Sequence, residues 1–195
     1  MKKILYLMRH GETLFNEKRK IQGACDSPLT ELGAKQAKIA GEYLKNMPLD
    51  HAYCSTSERS CDTLEIILND RLPYTRLKGL KEMNYGLFEG ESQDLNPKSL
   101  DDFETFFVPY GGESRSDVKE RMVKTCTEIM EKDNHVNVLA VSHSGACFNF
   151  LDVWQDSKNE LAKGFPNCCI FKYEYEDRTF TLLEVIRHDF ESYLK

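Results

Sequence analysis

Apolar residues run without a break over Ile4-Leu5-Tyr6-Leu7-Met8 and stop abruptly at Arg9-His10-Gly11-Glu12-Thr13. A short continuous run bounded by polar residues is the pattern of a strand buried on both faces of a sheet. Residues 136–141 read as a second strong strand, alternation giving way to a buried run, and end in Ser142-His143-Ser144-Gly145. The chain therefore twice carries a buried strand into a histidine closely followed by glycine. After the first strand, residues 9–29 are polar and hold Asn16, the basic triplet Lys18-Arg19-Lys20 and Gln22-Gly23. A connection of that length is uncommon unless it is functional. Helical spacing of Leu32, Gln36, Ile39, Tyr43 and Leu44 predicts a helix from an N-cap at Thr30 to about Lys45. Residues 51–54 read as a short strand. Cys61, Leu64, Ile67 and Leu68 mark the apolar face of a helix over 58–69, with Ser57 as its N-cap. An extended segment within 73–80 ends near Lys81-Glu82.

The pattern then breaks. Residues 83–113 contain Gly86, Gly90, Pro97, Pro109 and Gly111-Gly112, with a short aromatic helix expected over 100–107, and this segment is a candidate lid. A helix should follow from Ser114 or Ser116 to Lys132, and another over 146–155 after the second buried strand. Two strands, 169–175 and 180–186, close the chain around an Asp177-Arg178 turn. Strands alternating with helices predict an α/β fold, a three-layer α/β/α sandwich with a mostly parallel central sheet. The chain shows no repeat or linker, so one domain over 1–195 is expected.

Composition adds constraints. The chain has 195 residues, 41% hydrophobic and 30% charged, which suits one well-cored globular unit rather than a disordered chain. A formal charge of −6 argues against a broad nucleic-acid face. Seven cysteines, an odd number with no CxxC pair, point to reduced and mostly buried thiols. Lys2-Lys3 and the apolar run after it are too short for a secretory leader, and no run is long enough to span a membrane. A cytoplasmic protein without a membrane partner is expected.

In open α/β sheets, chemistry gathers beyond the carboxyl ends of the strands. Arg9, His10 and His143 sit at two such ends, and Gly11 is expected to let the backbone turn there. Arg59 falls in the first turn of its helix, where a positive charge opposes the macrodipole unless an anion is near. With that anion, helix N-terminus and guanidinium would form a phosphate site. The topology brings Arg9, His10, Arg59, Glu82 and His143 within reach of one crevice.

The sequence resembles the histidine phosphatase superfamily, also called phosphoglycerate mutase-like, over nearly its whole length. The resemblance is carried by Arg9-His10-Gly11-Glu12-Thr13, Asn16, Gln22-Gly23, Ser27-Pro28-Leu29-Thr30, Leu32-Gly33, and Ser55 with Arg59. It continues through Glu82 with Gly86 and Glu89-Gly90, then Gly111-Gly112-Glu113-Ser114, and Ser142-His143. It implies that His10 becomes phosphorylated, that Arg9, Arg59 and His143 hold the phosphoryl group, and that Glu82 is the proton donor. Asn16, Gln22, Gly23 and Ser144 complete the expected substrate-binding set, Ser144 standing where many members carry glycine. The chemistry is coherent. A phosphate dianion needs cationic donors on its equatorial oxygens, a histidine nitrogen can accept the phosphoryl group, and a secluded carboxylic acid can protonate the leaving oxygen.

The expected substrate is a small phosphorylated metabolite, with no metal and no cofactor. The cofactor-dependent mutases that this chain resembles are longer and carry basic and tyrosine-rich insertions after the glutamate. Here only the short Met83-Asn84-Tyr85-Gly86 precedes the lid, so the resemblance favours hydrolysis over a mutase primed by 2,3-bisphosphoglycerate. A phospho-ligand binding module without catalysis is the remote alternative. The roles of Lys18-Arg19-Lys20 and of Phe103, Phe106, Phe107 and Tyr110 stay open, as does the oligomeric state. His51, His135 and His188 lie away from the motifs.

Overall fold

In the computed structural model, which describes residues 2–190, the first apolar run forms β1 (Lys3–Arg9), an interior strand of a six-stranded sheet. The other strands are β2 (His51–Cys54), β3 (Tyr74–Arg76), β4 (Asn137–Ser142), β5 (Ile170–Glu176) and β6 (Thr179–Ile186). Their order is β3-β2-β4-β1-β5-β6. The first four are mutually parallel, whereas β5 runs antiparallel to both β1 and β6.

Alternation along β1 explains the layering. Leu5 and Leu7 join Val138, Ala140, Phe171 and Tyr173 on one face, against α5 (Arg115–Met130) and α6 (Ser144–Trp154). Tyr6 and Met8 join Leu139, Val141 and Ile170 on the other, against α2 (Glu31–Leu44) and α3 (Glu58–Leu68). All four β1 side chains are buried, each contributing roughly 1.5–3 kcal/mol. The result is the expected three-layer sandwich. Thr30 caps α2 by accepting from Gly33 N at 3.0 Å. Ser114 caps α5 in a reciprocal box with Asp117, whose carboxylate accepts from Ser114 N at 2.9 Å.

Several boundaries differ from expectation for local reasons. The polar loop at 9–29 contains α1 (Leu14–Glu17), a single turn too short to show periodicity, boxed by Thr13 and Asn16. The extended stretch at 73–80 keeps only three strand residues before a 3₁₀ turn at Lys78–Leu80. The aromatic helix stops early. α4 spans Leu100–Phe103, a 3₁₀ turn around Pro109 covers Val108–Tyr110, and Phe107 turns inward to be fully buried against Tyr85. α6 begins two residues earlier than expected, and a short α7 (Lys158–Ala162) was not anticipated. Gly11 serves close packing rather than a turn, because a Cβ there would stand 2.6 Å from the Gly33 carbonyl oxygen of α2.

All seven cysteines are free, six of them buried. Among the described residues no helix is long and apolar enough to cross a membrane.

Candidate active site

Parallel pairing of β1 with β4 sets Arg9 opposite Ser142. The next residues, His10 and His143, therefore leave neighbouring strand ends side by side, with ring centroids 5.2 Å apart. His10 Nδ1 lies 2.7 Å from the Gly11 carbonyl oxygen. A carbonyl only accepts, so Nδ1 carries the proton and Nε2 keeps its lone pair. Arg59 Nε donates toward that lone pair at 3.3 Å. Burial, then the charges of Arg59 and Arg9, hold the His10 pKa well below the ordinary histidine value. The ring is neutral near pH 7, with a nucleophilic nitrogen bare of its proton. Its backbone is fixed from three sides: His10 N donates to Ser142 O, and His10 O accepts from Cys168 N and from Asn167 Nδ2 at 3.1 Å.

Arg59 is completely buried. Its Nη1 donates to the Cys25 carbonyl and to Asp26 Oδ1, both at 2.9 Å, and its Nη2 donates to the Gly23 carbonyl at 3.0 Å. The Gln22 amide completes the cage. Oriented to satisfy every neighbour, its oxygen accepts from Arg59 Nε at 2.8 Å while its nitrogen donates to Ser27 and Thr13. The anion that a first-turn arginine calls for is thus a protein carboxylate. Asp26 Oδ2 also accepts from Glu58 N at 2.6 Å, capping α3 from outside, while Ser57 occupies the cap position without a side-chain cap bond. Ser57 holds the expected N-cap position, its carbonyl accepting from Ser60 N and Cys61 N, while the side-chain bond to the first turn comes from Asp26.

His143 is fully buried at the N-cap position of α6. Its Nε2 lies 2.7 Å from Ser55 Oγ, and its Nδ1 is a buried polar atom with no partner among the described residues. Burial, then Arg59 and His10, push its pKa well down.

Glu82 faces the start of the same helix. One oxygen accepts from Met83 N and Ala146 N and the other from Gly145 N, all at 2.8 Å. Gly145 is required, since a Cβ there would lie 2.7 Å from Glu82 Oε1. Burial pushes the Glu82 pKa above the usual carboxylate range against the pull of those N–H groups. A secluded acid beside a neutral imidazole is the pairing that acid-assisted phosphoryl transfer needs.

A cavity of about 490 Å³ opens onto this centre. Its walls include His10, Glu82, Arg9, Asn16, Gln22 and Ser144. Arg9 is held by Nη1 donating to the Phe165 carbonyl at 2.6 Å, and its Nε is buried without a partner among the described residues. Arg59, His143 and Gly23 lie outside that lining, joined to it through His10 and Gln22. Gly23 gives its carbonyl to Arg59 and its N–H to Glu89, so both its polar groups are occupied within the protein. Of the basic triplet only Lys20 reaches the cavity, while Arg19 pairs with exposed Asp94. Phe103 lines the cavity, whereas Tyr110 stays half-exposed.

Sequence reasoning missed four supporting residues. Asp26 holds Arg59, and Asn167 holds the His10 carbonyl. Arg121 donates to the Glu82 carbonyl at 3.0 Å and pairs with Glu113. Glu89 gathers four backbone N–H groups, from Gly23, Ala24, Cys25 and Tyr85. Only Glu89 had left a trace, as part of the resemblance pattern without a role. Among the described residues no cluster of three or more His, Cys, Asp or Glu side chains is arranged to hold a metal.

Comparison with known proteins converges on one family. The family model described as histidine phosphatase superfamily (branch 1) matches residues 5–187. A probable phosphoglycerate mutase GpmB from Yersinia pestis (strain Pestoides F) is 30% identical over 185 residues, covering 89% of this chain and 85% of the relative. Among solved structures, Bacillus stearothermophilus YhfR superposes with a TM-score of 0.81 at 31% identity, covering 92% of this chain and 95% of that one. A phosphoglycerate mutase from Bacillus anthracis str. Sterne gives 0.84 at 28% identity, covering 95% of this chain and 92% of that one.

Proposed function

The chain belongs to the histidine phosphatase superfamily of phosphoryl-transfer enzymes, and on that footing we propose that it hydrolyses phosphate monoesters through a phosphohistidine on His10, without a metal. The observation that carries the reading is the fixed tautomer of His10, whose Nδ1 is committed to Gly11 O at 2.7 Å while Nε2 stays unprotonated. In the first step Nε2 attacks phosphorus in line, the ester P–O bond breaks, and protonated Glu82 gives its proton to the departing alkoxide. In the second, ionised Glu82 takes a proton from water, the water oxygen bonds phosphorus, and the P–N bond breaks to restore His10 and release phosphate. Arg9, Arg59 and His143 balance charge on the equatorial oxygens. For Arg59 and His143 this requires the anion to enter beside His10, where the unpartnered Nδ1 of His143 and Nε of Arg9 supply donors. General acid catalysis by Glu82 is worth about 10²–10⁴-fold.

Hydrolysis rather than mutation is supported by the short Met83-Asn84-Tyr85-Gly86 stretch after Glu82. A mutase must shield its phosphoryl-enzyme from water. The test is release of inorganic phosphate from 4-nitrophenyl phosphate with a chelator present, run beside His10→Ala. Chelator-resistant turnover that the substitution abolishes is expected. Interconversion of 2- and 3-phosphoglycerate stimulated by 2,3-bisphosphoglycerate, with little phosphate released, would replace this reading with the mutase.

A further inference from the structure

The cavity is larger and more positive than one phosphoryl group requires. Its volume, about 490 Å³, matches roughly sixteen waters at about 30 Å³ each. Its walls carry Arg9, Lys20 and Arg115 against a single carboxylate, Glu82. That excess stands out in a chain with 32 acidic and 26 basic residues. Arg9 sits at the phosphate end, and Arg115 does not.

The cavity runs along one face of α6, lined in turn by Ser144, Gly145, Phe148 and Asn149. Asn149 is five residues beyond Ser144, about 7.5 Å along the helix axis at about 1.5 Å per residue. Arg115 is anchored there. Its Nε donates to Asn149 Oδ1 and its Nη2 to Asp152 Oδ2, both at 2.9 Å, and its guanidinium carbon stands 5.2 Å from the centre of the Phe148 ring. Its side chain is only 9% exposed.

Asp152 does not neutralise this cluster. Its carboxylate also takes Lys119 Nζ at 2.7 Å and Ser157 Oγ at 2.6 Å, so two cations share one anion. Arg115 Nη1 reaches only the Leu100 carbonyl, at 3.5 Å, and Asn149 Nδ2 has no partner among the described residues. Donors left without a strong partner, beside a charge that Asp152 shares with Lys119, favour an anion. The walls also hold Tyr85, Phe103, Phe148 and Phe165, which suit an apolar or flat body.

We propose that the site selects phosphate monoesters whose alcohol part is an apolar or aromatic body ending in a second anionic group, and that Arg115 is the residue that reads that group. This rests on the phosphatase reading above. A three-carbon phosphoglycerate is shorter than the Ser144–Asn149 separation along α6. Its carboxylate carbon is four bonds from phosphorus, under about 6 Å at about 1.5 Å per bond. A substrate spanning about 7–8 Å between the two charges fits the α6 geometry.

The experiment compares kcat/KM for 4-carboxyphenyl phosphate and 4-carbamoylphenyl phosphate, which share a shape and differ in charge. Wild-type protein should prefer the carboxylate by about tenfold or more, the scale of one partly buried ion pair. Arg115→Gln should bring the ratio close to one by slowing the carboxylate alone, with the carbamoyl substrate held within about threefold. Asp152 keeps Lys119 and Ser157 in that variant, and Arg115→Lys should restore part of the preference. Turnover of both substrates at equal wild-type efficiency overturns the proposal and leaves the phosphatase reading intact, whether or not the variant folds. Equal slowing of both substrates by Arg115→Gln overturns it too. Failure of wild-type protein to hydrolyse either substrate while it still turns over 4-nitrophenyl phosphate overturns the proposal alone; failure on 4-nitrophenyl phosphate as well removes the phosphatase reading, and the proposal with it.

Discussion

Replacing Glu89 by glutamine tests whether the loop that cages Arg59 is set by one carboxylate. Glu89 Oε1 accepts from Ala24 N at 2.7 Å and Tyr85 N at 2.9 Å, and Oε2 from Gly23 N at 2.9 Å and Cys25 N at 3.1 Å. Glutamine keeps one oxygen and turns an amide nitrogen toward the other pair, so two charge-assisted bonds are lost. At about 1.5–3 kcal/mol each, discounted because the residue is only partly buried, the loss is about 3 kcal/mol. A domain of this size moves about 2–4 °C per kcal/mol, so Tm should fall by roughly 6–12 °C. The same loop supplies the Gly23 and Cys25 carbonyls that hold Arg59, so kcat should fall by about 10–100-fold in the protein that remains folded. The pH dependence has a definite sign. Burial pushes the Glu89 pKa up, but the Cys25 thiol and the backbone N–H groups outweigh it, and the net shift is downward. A depressed carboxylate contributes stability above its unfolded pKa and loses it as pH falls through the folded value. The stability gap between wild type and Glu89→Gln should therefore narrow below about pH 4. Calorimetric scans from pH 7 to pH 3, paired with 4-nitrophenyl phosphate kinetics, make the assay. A Tm within about 2 °C of wild type, or a full loss of stability with kcat unchanged, refutes the coupling of this carboxylate to Arg59.

Two further outcomes follow from the other carboxylate. Gly145→Ala places a methyl 2.7 Å from Glu82 Oε1, so the acid must shift. Overpacking should cost about 1–3 kcal/mol in urea denaturation and lower kcat by about tenfold or more with little change in KM; unchanged kcat would mean Glu82 is not the proton donor. In pH profiles, activity requires neutral His10, whose pKa is held down, and protonated Glu82, whose pKa is held up. kcat/KM should therefore rise on an acid limb set below the usual histidine range and fall again as pH passes the Glu82 pKa. Glu82→Gln should lower the rate by about 10²–10⁴-fold and abolish the alkaline limb, and a limb that persists assigns it to another group.

The strand ends were legible because burial writes itself into composition. Ile4–Met8 and 136–141 had to be interior strands, and parallel pairing then makes His10 and His143 neighbours. Glu82 was legible only through the family pattern, since a glutamate after an extended segment has no spacing signature. What stayed hidden depends on contacts between distant segments. Asp26 and Glu58 are 32 residues apart, so nothing in the local pattern showed that Asp26, and not the Ser57 side chain, would bond the first turn of α3. The helix start at Arg59 carried one usable clue, its unfavourable charge, which demanded an anion without showing that Asp26 would be one. Arg115 carried no signal of its own in the sequence. Its burial is created by α4, α6 and Asp152, which no periodicity in its own helix announces.

Glu82 and Glu89 show how the fold gives one residue type opposite states. Both receive several backbone N–H bonds of ordinary length, three at 2.8 Å on Glu82 and four at 2.7–3.1 Å on Glu89. Hydrogen bonding alone would hold both ionised. Glu82 is 6% exposed and its pKa rises, whereas partly buried Glu89 ends below the ordinary value. Desolvation therefore decides which carboxylate can hold a proton. Moving water toward Glu82 would convert the acid into a second structural anion while leaving its hydrogen bonds in place. The burial of Glu82 against the start of α6 is then as much a condition of proton transfer as the carboxylate itself.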